Sequence, residues 1–153
     1  MVKILGICGS PRRKSCYKAL ETALEAAKNA EEGVEVELVE LRAKKMNFCI
    51  HCNQCTKQGV TYCPAWLKGV EDPDFFAHKV GAGITVGGTR NGGQEATMNS
   101  ITNFFLTQGM TVCTGGSGMY SGPMLWNPGD GSTEIEDPDG FRNCEILGRK
   151  MAK

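Results

Sequence analysis

The chain opens with Val2–Cys8, a segment whose apolar residues Val2, Ile4, Leu5 and Ile7 fall on both faces of an extended chain. Such a segment reads as a parallel strand buried inside an α/β sheet. The turn Ser10-Pro11-Arg12-Arg13-Lys14-Ser15 follows it. A helix over about residues 16–30 comes next, with Tyr17, Leu20, Leu24 and Ala27 at helical spacing and Gly33 as a stop. A βα unit of this kind constrains everything after it, because a parallel neighbour can be reached only by a crossover.

The later pattern agrees with that start. Val34–Leu41 alternates between apolar and acidic residues, as a half-exposed edge strand does. Val80–Val86 reads as a third strand. A helix over about residues 94–108 places Met98, Ile101 and Phe105 on one face, and Met110–Thr114 reads as a short fourth strand. Asp137 or Asp139 caps a last helix that runs to about Met151 and turns Phe141, Cys144, Leu147 and Met151 inward. The order β-α-β-loop-β-α-β-α predicts a parallel sheet covered on both faces. At 153 residues and 41% hydrophobic composition, one domain over residues 1–153 accounts for the chain. Three of its four strands end in glycine-rich turns on one rim, the carboxyl rim where ligands of such sheets sit.

Formal net charge is zero, so no basic face is forced and nucleic acid is not an expected partner. No apolar run approaches the roughly 18 residues of a membrane helix. The apolar start is too short for a signal peptide, which predicts a cytoplasmic protein in a reducing compartment. Cysteines there bind metal, act in catalysis or simply pack.

The first turn offers outward backbone N–H groups, a helix dipole, three cations and two hydroxyls, the makings of a phosphate site. A rival reading takes Cys8 to Ser15 as C-x5-K-S, close to the C-x5-R-[ST] loop of small tyrosine phosphatases, with Asp137 as a late general acid. That loop needs a planar guanidinium on the phosphoryl oxygens, and Lys14 cannot replace it. Cys8 then reads as a small core residue.

Four of the eight cysteines, Cys49, Cys52, Cys55 and Cys63, stand at C-x2-C-x2-C-x7-C, with Pro64 behind the last. This compact spacing suits a [4Fe–4S] cluster in a loop over residues 46–64. Structural zinc is the alternative, although it more often takes two separated C-x2-C knuckles. A loop without metal is the third possibility.

With these residues in view, the chain resembles the iron–sulfur flavoproteins, a branch of the flavodoxin-like NAD(P)H-dependent FMN reductases. Gly6-Ile7-Cys8-Gly9-Ser10-Pro11-Arg12, the cysteine motif, and Val86 to Glu95 with Asn103-Phe104-Phe105 carry the likeness. It implies a flavodoxin-like three-layer α/β sandwich with bound FMN, a [4Fe–4S] cluster and electron transfer between them. By residue, it implies an FMN phosphate at Ser10, Arg12 and Ser15 near Cys16 and Tyr17. It implies a flavin ring near Gly88, Thr89, Arg90, Gly93 and Gln94, and cluster ligation by Cys49, Cys52, Cys55 and Cys63.

Two departures stand out. Cys16-Tyr17 replaces a small polar pair, and cysteine is a weak donor. In addition, only Pro64–His78 separates the two recognisable parts, where the family carries a helix, a strand and another helix. The parallel sheet is then expected to shorten to about four strands. Val80–Val86 would stand beside the first strand, or a neighbouring subunit of a homo-oligomer, a dimer or tetramer, would cover the open site. The expected function is that of an FMN reductase-like oxidoreductase whose donor is a ferredoxin. The alternatives are a flavin-free, metal-stabilised module or electron relay, and the phosphatase.

Overall fold

The computed structural model describes residues 1–60, 62–64, 67–89, 91–128 and 136–153. β1 (Val2–Cys8) passes through the Ser10–Ser15 turn into α1 (Ser15–Lys28), which returns the chain to β2 (Val34–Glu40). β1 and β2 pair in parallel from Val2 opposite Val34 to Cys8 opposite Glu40. α1 covers one face of this pair. There Gly6 admits Leu24 and Leu20 so closely that a Cβ would stand 2.7 Å from the Leu24 side chain. The other face remains open, with Leu5 56% and Ile7 58% exposed. The two-sided cover predicted for this strand is therefore met on one side only.

α2 (Gln54–Gln58) is a single short turn inside the cysteine loop. Beyond it come β3 (Val80–Gly81), β4 (Thr85–Gly87), α3 (Gln94–Thr107), β5 (Thr111–Val112), β6 (Met124–Trp126) and α4 (Pro138–Met151). β3 pairs with β5 and β4 with β6, both in parallel. The described residues thus hold six short strands in three parallel pairs, rather than about four in one sheet. The predicted strand Val80–Val86 divides because its two halves pair with different partners. The predicted fourth strand shrinks to Thr111–Val112, and the stretch read as irregular supplies β6. No ladder joins β1 to β4 among the described residues, so Val80–Val86 does not take the place beside the first strand. Instead β4 is held by β6, and its apolar residues settle onto α1.

Alternation along residues 81–87 sets the layers. Ile84 and Val86 point to a cluster of Ala19 and Ala23 from α1, Leu125 from β6 and Cys144 from α4. Gly81, Gly83 and Gly87 point the other way, at Phe105, Met98 and Gln94 of α3. A Cβ at Gly81 would lie 2.6 Å from the Phe105 ring and one at Gly83 2.5 Å from the Met98 sulfur, so α3 rests on bare backbone. Thr85 shares that parity and is buried, and its Oγ1 has no hydrogen-bond partner among the described residues. α1 and α4 therefore form one outer layer and α3 the other, around parallel strands. This is the α/β sandwich that the sequence predicts.

The two helices of the first layer cross at small residues. Gly148 of α4 lies against the Ala23 carbonyl of α1, closer than any Cβ could come, and near the Ala27 nitrogen. A second cluster, Ala27, Val34 and Ala152, ties their ends to β2. α4 begins as predicted, with the Asp137 side chain accepting the Gly140 N–H at 2.8 Å.

Candidate functional site

The Ser10–Ser15 turn and the glycine loop after β4 meet at one place. Asn127, just past β6, donates its backbone N–H to the Gly87 carbonyl at 2.9 Å. Its side-chain amide donates to Ser15 Oγ at the first residue of α1. One residue thus clamps the phosphate-type turn to the end of β4. Sequence reading missed Asn127 because it sits in a glycine- and proline-rich stretch with no strand period.

The turn is an anion cradle by construction. Lys14 occupies the position before α1 without capping it through its side chain, and among the described residues no side chain caps the first-turn N–H groups. Those donors, with the positive end of the helix dipole, suit a phosphate. Ser10 curls the turn, accepting the Arg12 N–H at 3.2 Å and donating to the Arg12 carbonyl at 2.8 Å. Its hydroxyl therefore braces the turn. The arginines divide. Arg13 pairs with Glu40 at 3.0 Å and lies 4.6 Å over the Tyr17 ring, whereas Arg12 makes no ion pair among the described residues. Shielding from water, and then the neighbouring Cys8, push the Cys16 thiol above its usual pKa. A neutral thiol beside Ser10 is a poor anion ligand, as the sequence departure suggests.

Gly88, Thr89 and Gly93 line the exposed glycine loop, while Arg90 lies outside the described residues. Gln94, expected at a flavin ring, is 5% exposed and sits beneath the loop. Its Oε1 accepts the Gly92 N–H at 2.8 Å, and its Nε2 donates to the Thr89 carbonyl at 3.0 Å and the Leu125 carbonyl at 3.5 Å. The amide is fully engaged within the protein, so Gln94 shapes the loop from below. Gly87 makes room for it, because a Cβ there would overlap the Gln94 amide.

The cysteine loop follows β2 in the chain. Cys49, Cys52 and Cys63 are exposed, Cys55 is half-buried, and all four are free thiols. Left-handed backbone at His51 (φ 53°) and Asn53 (φ 57°) bends the chain between successive cysteines. The His51 N–H already points to Cys49 Sγ at 3.4 Å, the kind of bond that supports a ligating thiolate. The donor set fits an iron–sulfur group in chemistry. Among the described residues, however, the thiols are not gathered into a group of three or more able to hold a metal. Tyr62 anchors the far end of the loop. It is 6% exposed, donates to the Val70 carbonyl at 2.6 Å and meets the Phe75 ring edge-on. Sequence reading passed over it, since a lone tyrosine beside a cysteine carries no periodic signal.

The rival phosphatase reading finds little support here. Cys8 is 3% exposed at the end of β1. Both oxygens of Asp137 are engaged, one by the Gly140 N–H and the other by the Trp126 N–H at 2.9 Å.

Comparison with known proteins agrees with the likeness seen in the sequence. Residues 2–76 match the family model described as NADPH-dependent FMN reductase. An iron–sulfur flavoprotein of Archaeoglobus fulgidus is 31% identical over an alignment of 188 residues, covering 98% of this chain and 95% of the relative. One from Methanosarcina thermophila is 33% identical, covering 98% of this chain and 93% of its own. The chain belongs to the iron–sulfur flavoprotein family. A third iron–sulfur flavoprotein, from Methanocaldococcus jannaschii, is 31% identical over 92% of this chain and 90% of the relative. The alignments to these iron–sulfur flavoproteins run longer than this chain's 153 residues, so the relatives hold positions with no counterpart here. The flavodoxin-like α/β fold of the family matches the layers described above. Among the described residues no helix is long and apolar enough to cross a membrane.

Proposed function

We propose that this chain is an electron-transfer flavoprotein that holds FMN at the junction of the Ser10–Ser15 turn and the glycine loop. The observation that carries the reading is the Asn127 clamp, which sets an uncapped helix N-terminus and an exposed glycine rim side by side. In this reading Ser15, Arg12 and the first-turn N–H groups, those of Cys16 and Tyr17 among them, take the phosphate. Ser10 holds the turn in shape for it. Gly88, Thr89 and Gly93 face the ring, Arg90 is assigned to it by the family likeness alone, and Gln94 supports the loop backbone at Thr89 and Gly92 from below.

Cys49, Cys52, Cys55 and Cys63 would hold a [4Fe–4S] cluster, and their ligation would supply part of the energy that orders the loop. When both groups are bound, the cluster carries single electrons and the flavin one or two. Tyr62, the neighbour of Cys63, ties that end of the loop to the Val70 carbonyl. The family and the thiol-rich loop support a ferredoxin-type protein as electron donor, a cytoplasmic setting and a homo-oligomer. The open face of β1 is consistent with the last.

One anaerobic measurement tests the proposal. Purified protein, reconstituted with iron, sulfide and FMN, is expected to show flavin bands over a broad iron–sulfur absorption. About four irons and one flavin are expected per chain. Protein that stays colourless and binds neither group is not an electron carrier. Zinc in place of iron, with no flavin, would leave the metal-stabilised module instead.

A further inference from the structure

We infer that Asn127 is a positioning residue that makes this site selective for the phosphorylated flavin, acting through the hydroxyl of Ser15. The inference rests on the FMN reading above and extends it to a residue outside both loops. A serine hydroxyl has one proton to give and two lone pairs to accept with. Asn127 Nδ2 donates to Ser15 Oγ and so occupies an acceptor position. The Ser15 proton is left to point elsewhere, and the described residues give it no acceptor. Ser15 is the first residue of α1, where the uncapped N–H groups emerge, so the outward direction for that proton is toward an anion at the helix start. Donation from the amide also polarises the hydroxyl and strengthens what it donates.

The direction of the Asn127–Ser15 bond therefore matters more than its presence. Asn127 is fixed independently by its backbone bond to Gly87, so the amide is held against Ser15 by β4 rather than by the turn itself. A carboxylate at position 127 would fit the same space and reverse the bond. It would accept the Ser15 proton, withdraw it from the phosphate and add a negative charge beside the anion. A residue with only a bracing role would behave in the opposite way, because the near-isosteric carboxylate would preserve the brace better than a truncation does.

The test measures affinity for FMN and for riboflavin, which lacks the phosphate, on flavin-stripped full-length protein. The variants are Asn127→Ala and Asn127→Asp. The parent is expected to prefer FMN. Asn127→Ala should weaken FMN about tenfold, the size of one charge-assisted hydrogen bond, and leave riboflavin within about twofold. Asn127→Asp should weaken FMN further still, again sparing riboflavin. Ser15→Ala should lower FMN affinity, and adding Asn127→Ala to it should cost little more. Equal losses for both flavins, or Asn127→Asp binding FMN better than Asn127→Ala, overturn the inference and leave the FMN reading standing. A parent that binds neither flavin overturns the FMN reading itself. Should Asn127→Ala fail to fold, the comparison of Asn127→Asp with the parent still decides the sign.

Discussion

The Asp137 carboxylate, at the start of α4, reaches back to β6, where its Oδ2 accepts the Trp126 N–H at 2.9 Å. Its Oδ1 meanwhile caps α4 through the Gly140 N–H. One side chain therefore fixes the angle between the last strand and the last helix. Asp137→Ala removes the cap and strands a partly buried N–H, a loss expected at about 1–3 kcal/mol. Asp137→Asn keeps one acceptor and should fall between the two. Urea unfolding midpoints at constant slope are the measurement, and an alanine variant as stable as the parent would refute this role.

Thr85 predicts a gain. Its hydroxyl is buried without a partner among the described residues, so removing that group should help. Thr85→Val keeps the shape and is expected to raise stability by about 1 kcal/mol, read as a higher melting temperature. A destabilised valine variant would mean that the hydroxyl has a partner after all.

Gly148 gives a prediction whose sign separates two effects. Helix propensity alone favours alanine by up to about 1 kcal/mol. At this position a Cβ would press on the Ala23 carbonyl, which is backbone and cannot swing aside. Gly148→Ala is therefore expected to lose about 2 kcal/mol or more, as overpacked cores do. Chemical denaturation shows which effect wins.

Cys144 is buried between α4 and the core, and its pKa is pushed up to about 12, first by burial and then by the nearby charges of Asp137 and Glu145. Its folded value lies above its usual value of 9.0, so its contribution to stability is complete below pH 9. That contribution is lost as pH rises from 9 toward 12, because the unfolded chain ionises first. Cys144→Ala should be less stable at neutral pH through the cavity it leaves. Its stability should decline less steeply above pH 9 than the parent's. Parallel pH profiles for the two proteins would contradict this account.

Gln94→Leu tests the support beneath the glycine loop. It retains bulk but leaves the Gly92 N–H and the Thr89 carbonyl without their partner. The expected cost is about 1–3 kcal/mol of stability, together with weaker binding of FMN and riboflavin alike. A change confined to FMN would place Gln94 at the phosphate rather than under the loop.

Where the sequence was readable, periodicity made it so. α1, α3 and α4 lie within two residues of their expected bounds, because Leu24, Ala27, Met98, Cys144 and Leu147 mark buried faces at helical spacing, although α1 buries Ala19 and Ala23 rather than the expected Tyr17 and Leu20. β1 and β2 are equally plain. What escaped depends on partners distant in the chain. Nothing in Val80–Val86 itself says that its halves pair with different strands, and Met124-Leu125-Trp126 is too short to announce a strand. Gln94 looks like a ligand contact in the sequence, since an amide after a glycine loop is polar and well placed. Only the closeness of α3 to Gly87 turns it inward. Asn127 and Tyr62 matter through single long-range bonds, which leave no local pattern.

The bare backbone under α3 also restricts how such a protein can change over time. At Gly81, Gly83 and Gly87 any new side chain must be matched by a loss of bulk at Phe105, Met98 or Gln94. These three pairs are therefore expected to drift in concert across homologues, each larger residue on the strand side accompanied by a smaller one on the helix.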